Sequence, residues 1–431
     1  MAIYHARPPH ERLDIFFGEL FGKMRNAPPE KYGDFLLRIE EEFKRTGYRE
    51  PLRNGVLEIL IVRLDAIGDI ILTSAFIREV RKNFPTARIT LVVTPIAAPL
   101  VEFCPYVNEV LVLDRKFLFG NFTEALERIA VFCRDNLWRK NFSIAFSPRW
   151  DFDTFPALMT CWLSGARERI GYCVNPFRSW LPNPPPQFAP QYGFLLTKDV
   201  VTPRNVISEI EKHFFLLQAA GLKITETHME LWYGAEDFRR AKELLEDIPS
   251  TCKKVTLGIG ASAPTKKYPV EKYLVALKIL AEKNLTFVIV GGKAELNDAA
   301  YLEQNLPRGK VLNLVDKTTL RETEAVIAQT DFYVGNDTGV LHMAAAAKIP
   351  VLGIYRAAQD RDHILPAIFN EYRRFPPYNT KAIALRPAHP LDDCATLPPV
   401  YGLCRHLNIP HCIAQITPQE IVAGFERLED V

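Results

Sequence analysis

Polar and acidic residues follow four apolar runs of the sequence, at the points where each run gives way to a helical pattern. The first point lies in EILIVRLDAIGDIILTSAFIREV, where Asp65, Gly68 and Asp69 separate a strand-like run from a helix-like one. A carboxylate here suits general-base chemistry, because the positive end of the next helix favours its ionised form. The other interpretation is structural, with Asp69 as a helix N-cap and Asp65 as a turn residue. Spacing alone leaves both open.

The second point is GIGASAPTKKYP, which is rich in small residues and leads into a helix. Backbone N–H groups, Ser262 and Thr265 could hold a phosphate there, and Lys266 or Lys267 supplies positive charge. The stretch does not match GxxxxGK[ST], which argues against a P-loop. A hydrophilic loop with two solvated lysines is the alternative interpretation.

The third and fourth points are VIVGGKAELNDAA and FYVGNDTGVLHMAAAAKIPVLGIY. In the third, Glu295 follows a Gly–Gly turn, where a carboxylate can accept hydrogen bonds from a ribose diol. In the fourth, Thr338 and Gly339 offer N–H groups to a diphosphate, and the alanine-rich helix after them must be approached closely by a neighbouring element. The structural alternatives are a first-turn acid for Glu295 and an N-cap for Asp337. His342 is more typical of a core or supporting histidine than of a catalyst.

The elements that position these loops alternate between strands and helices. Runs such as VLEILIVRL and ARITLVVTP alternate with helical patterns, stop at the proline-rich stretch 175–194 and resume with KVTLGIG. This pattern predicts parallel sheets with helices on both faces, in two doubly wound α/β units. Ligands of such sheets bind beyond the carboxyl ends of the strands, so we expect a ligand in the cleft between the units.

The same pattern divides the chain into three parts. We expect a helical extension in residues 1–55, a first α/β domain in residues 56–250 and a second in residues 251–431. Within the extension, YGDFLLRIEEEFKRTGY favours a helix pair packed on the main body or on another subunit. A membrane-surface role for LDIFFGELFGKM is the less favoured interpretation.

Composition narrows the classes of function. Of 431 residues, 48% are hydrophobic and 24% are charged, as in globular proteins rather than disordered or membrane proteins. The formal net charge of +2 gives no support for nucleic-acid binding. Since the sequence shows no signal-peptide pattern and no run long enough to span a bilayer, we expect a cytoplasmic protein.

Three of the eight cysteines cluster near the end, in HPLDDCATLPPVYGLCRHLNIPHC. Cys394, Cys404 and Cys412 show no CxxC spacing, so a structural Zn or Fe ion would need a histidine as its fourth ligand. Reduced thiols are the favoured interpretation here, and the other five cysteines are scattered as buried cytoplasmic thiols are. We therefore expect no required cofactor.

These motifs in this order resemble those of glycosyltransferase family 9, the heptosyltransferase-like enzymes of the GT-B superfamily. The matching stretches are ILIVRLDAIGDIILTSAFIREVRKNFPTARITLVV, KKYPVEKY, GGKAEL and GNDTGVLHMAAAAKIPVLGIY, within about residues 56–375. The resemblance implies a GT-B fold, two Rossmann-like domains facing a cleft, with the final helix crossing back to the first domain. It also implies transfer of a sugar from a nucleotide diphosphate, usually ADP-heptose, with inversion at the anomeric carbon.

The resemblance assigns roles to single residues. Asp69 corresponds to the general base, and Lys266 to the cation that neutralises the departing diphosphate. The expected donor-binding residues are Ser262, Thr265, Glu295, Asp337, Thr338, Gly339 and His342. Arg63 is expected to serve acidic groups of the acceptor or donor.

Arg149 and Asp151, in SPRWDFD after a strand of the first domain, could contact the acceptor. A local ion pair is an equally open interpretation of these two residues. The acceptor itself stays open between a glycan, a lipid-linked group and a protein, and with it peripheral contact with the inner membrane. Assembly into a homo-oligomer is open as well.

Two other functions stay open on the same architecture. A nucleotide-sugar epimerase or hydrolase would convert the donor without an acceptor, and a catalytically silent homologue would serve as a binding or assembly subunit. The joint presence of Asp69, Lys266, Glu295 and Asp337 argues against a silent homologue.

Overall fold

The computed structural model describes residues 9–24, 26–27, 32–46, 55–114, 122–150, 155–172, 195–362, 370–391 and 408–430. These residues form two α/β domains and a helical pair at the N-terminal end, which confirms the predicted fold class.

Each domain is built on a six-stranded parallel sheet. The first sheet contains β1 (Glu58–Arg63), β2 (Arg88–Val93), β3 (Glu109–Val112), β4 (Ile144–Ser147), β5 (Glu168–Tyr172) and β6 (Lys198–Val200). The second contains β7 (Lys253–Gly258), β8 (Leu285–Val290), β9 (Val311–Asn313), β10 (Phe332–Asn336), β11 (Val351–Ile354) and β12 (Ala382–Leu385).

Helices cover both sheets. Those before β7 are α1 (Pro9–Met24), α2 (Tyr32–Thr46), α3 (Ile67–Asn83), α4 (Ala98–Val101), α5 (Phe122–Asn136), α6 (Phe155–Leu163), α7 (Glu209–Ala219) and α8 (Ala235–Leu245). Those after β7 are α9 (Val270–Leu280), α10 (Leu296–Asn305), α11 (Leu320–Ile327), α12 (Gly339–Ala346), α13 (Glu371–Arg374) and α14 (Pro418–Glu429).

The two sheets share one strand order. It is β3-β2-β1-β4-β5-β6 in the first sheet and β12-β11-β10-β7-β8-β9 in the second. The order reverses between β1 and β4 and again between β7 and β10, and ligands of open α/β sheets bind at such a reversal. The loops after β1, β4, β7 and β10 are therefore the ones that the topology places at a ligand site.

One helix from each domain packs closely against the other across the cleft. A Cβ atom added to Gly339, at the start of α12, would lie 2.6 Å from Ile67 Cγ2 of α3. A Cβ atom added to Gly68 would lie 3.0 Å from His342 Cδ2. The close neighbour predicted from the alanine-rich sequence of α12 is thus α3, so the loops after β1 and β10 lie side by side.

The N-terminal helices α1 and α2 pack on α5 and α6 of the first domain. The ring of Phe17 stacks on that of Trp138, with centroids 5.4 Å apart. Phe43 meets the edge of Trp162 at 6.0 Å, and Glu40 Oε2 accepts a hydrogen bond from Trp162 Nε1 at 2.6 Å. This packing on the main body is one of the two arrangements expected from the sequence.

Two features concern the expected division of the chain. α8 packs on α11 of the second domain, where Ala241 and Leu245 share a core with Ala325 and Val326, so α8 belongs with the second domain although it precedes the expected boundary at residue 250. The return of the final helix to the first domain stays a prediction. In the described residues, α14 packs on α9, β11 and β12, because its apolar face completes the core of the second domain.

Candidate active site

A cavity of about 610 Å³ lies between the two domains, at the carboxyl ends of both sheets. The first domain contributes the loops after β1 and β2, and the second contributes those after β7, β8, β9 and β10. The predicted site residues that line the cavity are Asp69, Ser262, Lys266, Glu295, Asp337, Thr338, Gly339 and His342. The fold therefore brings residues from distant parts of the sequence to one site.

Asp69 is the acid that the first domain presents to this cavity. It is the third residue of α3, whose N-cap is Ala66, and its Oδ2 accepts a hydrogen bond from the Ala66 N–H at 3.3 Å. Its Oδ1 accepts one from Arg63 Nη2 at 3.0 Å. The side chain stays 23% exposed, so these bonds fix the orientation of the carboxylate without covering it.

Arg63 lies behind Asp69 and binds acidic side chains of the protein itself, and its predicted role toward the acceptor or donor stays a prediction. Its side chain is 1% exposed, and its Nε lies 2.8 Å from Asp65 Oδ2. Asp65 also forms an ion pair with Arg149, which makes Asp65 a buried bridge between two arginines rather than a simple turn residue. For Arg149 the structure thus supports the ion-pair interpretation, and Asp151 lies outside the described residues.

Two residues of α7 complete the support of Arg63. Glu209 Oε1 lies 3.3 Å from Arg63 Nη2, and His213 Nε2 lies 3.4 Å from Arg63 Nη1. Since His213 Nδ1 lies 3.1 Å from the carbonyl oxygen of Leu72, Nδ1 carries the ring proton and Nε2 accepts. Burial, and then the charge of Arg63, lower the pKa of His213 to about 3, so the ring is neutral at neutral pH.

Lys266 is the cation that the second domain presents to the cavity. Its Nζ lies 3.2 Å from Asp337 Oδ2 and 3.3 Å from Glu371 Oε1. Burial opposes the charge, but the carboxylates of Glu371 and Asp337 outweigh burial and raise the pKa of Lys266, so the ammonium group stays charged. Lys267 instead pairs with Asp298 at 2.6 Å, which distinguishes the two neighbouring lysines.

Arg356 binds Glu371 and Thr265 behind Lys266. It forms a two-bond ion pair with Glu371 at 2.6 and 2.9 Å and donates to Thr265 Oγ1 at 2.7 Å. Burial opposes ionisation of Glu371, but Lys266 and Arg356 lower its pKa, so it stays anionic. The prediction that Thr265 binds the donor is not supported, because this buried hydroxyl faces Arg356 and lies behind the cavity wall.

Glu295 reaches the cavity because the residues around it are glycines. A Cβ atom on Gly260 would lie 2.9 Å from Glu295 Cδ, and one on Gly291 would lie 3.2 Å from Glu295 Cβ. The Gly292 N–H donates to Glu295 Oε2 at 3.0 Å. The Gly–Gly turn thus positions a carboxylate at the cavity wall, as the predicted ribose contact requires.

The N-terminus of α12 opens on the same cavity. Thr338, rather than Asp337, is its N-cap, and the first N–H groups of a helix have no partner within it. His342 follows one turn later and is 4% exposed. Burial lowers the pKa of His342, so the ring is neutral at neutral pH, and its Nδ1 has no hydrogen-bond partner among the described residues. These groups form a neutral and dipolar wall that suits an anionic ligand.

The structure does not test whether the cysteines near the end of the chain bind a metal ion. Within the described ranges, no group of three or more His, Cys, Asp or Glu side chains could hold a metal ion. Cys412 Sγ lies 3.5 Å from His411 Nδ1, whereas Cys394 and Cys404 lie outside the described residues.

The helices of the described residues can be compared with the thickness of a bilayer. Every helix in the described part of the chain is too short or too polar to cross a bilayer.

Among the residues of this site that were not found from the sequence are Glu209, Glu371 and Arg356. Each lies in a segment without a recognisable motif, and each acts through a partner far away in the chain. Glu209, for example, is 146 residues from Arg63. The helical pattern around Glu209 predicts α7 but not which of its acids is buried.

Comparison with known proteins shows similarity to one family. Residues 187–386 match the model of glycosyltransferase family 9 (heptosyltransferase). Lipooligosaccharide heptosyltransferase 2 of Haemophilus ducreyi is 22% identical over 310 residues, which are 68% of this chain and 81% of that protein.

Solved structures share the fold. A family 9 glycosyl transferase from Veillonella parvula has a TM-score of 0.67 and 17% identity, over 86% of this chain and 97% of that chain. E. coli ADP-heptose lipopolysaccharide heptosyltransferase II has a TM-score of 0.61 and 17% identity, over 87% of this chain and 100% of that chain.

These similarities agree with the resemblance noted in the sequence. The family match includes the loops that carry Lys266, Glu295 and Asp337, and the similarity to the Haemophilus ducreyi protein spans two thirds of the chain. The two domains have the architecture of the solved family members. The chain is therefore similar in sequence to the heptosyltransferases of glycosyltransferase family 9, and it shares the two-domain α/β fold of the solved members.

Proposed function

We propose that this glycosyltransferase moves a heptose, or a related sugar, from an ADP-activated donor to a bacterial glycan or protein acceptor, with inversion. The observation that carries the proposal is that Asp69 and Lys266 line one cavity from opposite domains. An inverting transfer needs a base beside the acceptor and a cation beside the leaving group, on opposite sides of the reacting carbon.

In the proposed reaction, the Asp69 carboxylate takes the proton of an acceptor hydroxyl while that oxygen attacks the anomeric carbon. The bond from this carbon to the diphosphate oxygen breaks, and its electron pair leaves with the diphosphate. Lys266 and the first N–H groups of α12 stabilise the charge that develops there. Attack and departure on opposite faces of the sugar invert its configuration.

The donor is proposed from two kinds of support. Two of the similar proteins are named for heptose transfer, and one of these two for ADP-heptose. In this chain, Glu295 supplies the carboxylate for a ribose diol, and His342, whose Nδ1 has no hydrogen-bond partner among the described residues, lines the same cavity. A nucleoside diphosphate sugar would use all of these groups together.

Calorimetry with ADP-, GDP-, UDP- and dTDP-sugars tests the donor, followed by a transfer assay with a truncated lipopolysaccharide core and a bacterial surface-protein domain as acceptors. We expect ADP-heptose to bind most tightly and each released ADP to match one glycosylated acceptor. Release of ADP with only free sugar formed would indicate a hydrolase, and altered donor without ADP release an epimerase. Absence of binding by every donor would contradict the proposal and favour a silent homologue.

A further inference from the structure

The short helix α13 connects the cation of the cavity to the opposite domain. At its start, Glu371 binds Lys266 and Arg356, as described above. At its end, Phe375 lines the cavity and lies against the His342 ring, with centroids 6.4 Å apart. The second domain holds α13 firmly, because Tyr372 meets the edge of the Tyr355 ring at 5.2 Å.

Arg374 is the residue of α13 that leaves the second domain. Its Nη2 donates to the carbonyl oxygen of Trp150 at 2.9 Å and lies 3.5 Å from Glu209 Oε2. Its guanidinium group also lies over the Trp150 ring, 5.4 Å from the centroid. Both partners belong to the first domain, so Arg374 is an ion-pair contact across the cleft and is only 14% exposed.

Glu209 links Arg374 to Asp69, the candidate base, through Arg63. One of its oxygens faces Arg374, and the other lies 3.3 Å from the same Arg63 nitrogen that donates to Asp69 at 3.0 Å. Burial opposes ionisation of Glu209, but Arg374, then Lys212 and Arg63, lower its pKa to about 2. The carboxylates of Asp69 and Glu209 thus share one Arg63 nitrogen. Arg374 neutralises the carboxylate of Glu209, which does not line the cavity.

We propose that Arg374 is a positioning residue: by holding Glu209 from the second domain, it leaves Arg63 free to fix the Asp69 carboxylate when the two domains are closed. The inference rests on the proposed function, because it assigns Asp69 to the base. Without Arg374, Glu209 would draw Arg63 toward itself, and Asp69 would lose one of its two fixed hydrogen bonds. The donor side would be less affected, since Lys266 and Glu371 keep their contacts.

The test compares Arg374→Ala with the wild type, with Arg374→Lys and with Arg373→Ala, a neighbouring basic residue on the same helix. We expect kcat for transfer to fall roughly 10- to 100-fold in Arg374→Ala, the scale of a misplaced catalytic group. Donor affinity measured by calorimetry should change by less than about 2-fold, well below the tenfold change in affinity that corresponds to about 1.4 kcal/mol. Arg374→Lys should recover part of the loss, and Arg373→Ala should match the wild type.

A second variant separates positioning from general loss of structure. Adding Glu209→Gln to Arg374→Ala removes the carboxylate that competes for Arg63, so kcat should rise again, by about 3-fold or more if the two sites are coupled. Absence of this recovery would overturn the proposal, as would an unchanged kcat in Arg374→Ala or a loss confined to donor affinity.

Hydrogen exchange provides a readout that does not require turnover. The Ala66 N–H donates to Asp69, so it should exchange faster in Arg374→Ala than in the wild type or in Arg373→Ala. Equal protection of this amide would overturn the positioning role even for a protein that transfers no sugar. Lack of transfer by the wild type would instead contradict the proposed function, so the two failures are distinguishable.

Discussion

At the scale of single residues, the observed helix-capping role of Asp69 and its proposed role as a base would usually compete. A helix-capping carboxylate gives its oxygens to backbone N–H groups, whereas a base must keep an oxygen accessible. Asp69 makes one bond to the Ala66 N–H and one to Arg63 and still exposes 23% of its side chain. Its lone pairs exceed these two bonds, so an acceptor hydroxyl can approach without displacing either partner.

Asp69→Asn is expected to reduce transfer at least about 100-fold, the scale of a lost general base, with donor affinity nearly unchanged. Rates of glycosylated product and calorimetry of the donor measure the two effects. Glu322→Gln is the matched control, because Glu322 Oε2 caps α11 from the same third position by accepting the Thr319 N–H at 2.7 Å. Rapid transfer by Asp69→Asn would exclude Asp69 as the base.

Lys266→Ala is expected to weaken binding of the nucleotide diphosphate by about 10-fold or more, as loss of a charged hydrogen bond does. The variant also leaves Asp337 and Glu371 without their shared cation, and their charge would repel the ligand. Lys267→Ala removes the same charge one residue away, from a lysine that pairs with Asp298 outside the cavity wall, and should leave affinity unchanged. Equal calorimetric affinities of the two variants would contradict the assignment.

The sequence was sufficient to find Asp69 and Lys266, because each lies in a loop that follows a strongly apolar strand. It was not sufficient to find the residues that hold these two side chains in place. Glu209 and Arg63 are separated by 146 residues, and only the packing of α7 on α3 brings them together. The partners of Arg63 were missed for the same reason, since the sequence around an arginine at the end of a strand does not show whether it binds acids of a ligand or of the protein.

At the scale of elements, the contact between α3 and α12 depends on the absence of a side chain at Gly339. A Cβ atom there would lie 2.6 Å from Ile67 Cγ2 and 3.1 Å from the backbone nitrogen of Gly68. The backbone cannot move aside as a flexible side chain could. We therefore expect the two helices to separate or distort when this position carries even a methyl group.

Gly339→Ala is expected to lower the free energy of unfolding by about 1–3 kcal/mol, as overpacking of a close contact does. Adding Ile67→Ala should restore part of this loss, since it removes the nearest obstructing atom. Gly22→Ala places the same methyl group in α1, where no atom of the described residues outside the backbone of that helix lies within 4 Å of it, and should stabilise the protein by up to about 1 kcal/mol. Denaturant unfolding measures the stability of all three variants. A Gly339→Ala variant as stable as Gly22→Ala would refute the close contact.

Element prediction succeeded where a pattern was strong and failed where it was weak. The apolar runs and their alternation predicted most strands, but β6 and β12 have only three and four residues. α6 is buried from Pro156 to Leu163, so its sequence has no polar face to reveal helical spacing. The boundary near 250 followed a turn signal, whereas tertiary packing of α8 on α11 decides where the second domain begins.

At the scale of the whole molecule, charged contacts join the domains at both ends of the cleft. At one end, Arg374 meets Glu209. At the other, Arg321 of α11 pairs with Glu102 and lies over the Phe103 ring, 5.2 Å from its centroid. Such pairs lose strength when their acids are protonated, and the low pKa of Glu209, about 2, means that its contribution is present above about pH 4.5 and lost as the pH falls toward 2.

Glu324, buried in α11, has the opposite dependence on pH. Burial raises its pKa to about 8 from an ordinary value of 4.5, with Asp237 adding to the rise and Arg321 opposing it. Between these two values the folded protein holds a proton that the unfolded chain has lost. Its stabilising effect is therefore present below about pH 4.5 and declines as the pH rises to 8, by at most about 1.4 kcal/mol per pH unit.

Glu324→Gln cannot ionise, so its stability relative to the wild type should increase between pH 5 and pH 8. Free energies of unfolding from denaturant titrations at pH 5, 6.5 and 8 measure this change, with Glu322→Gln as the control for loss of one acid from a less buried position on the same helix. The comparison removes the acid sensitivity of groups such as Glu209, because every variant retains them. A difference that stays constant across this range would mean that Glu324 is ionised inside the fold, so that the charge of Arg321 outweighs the effect of burial.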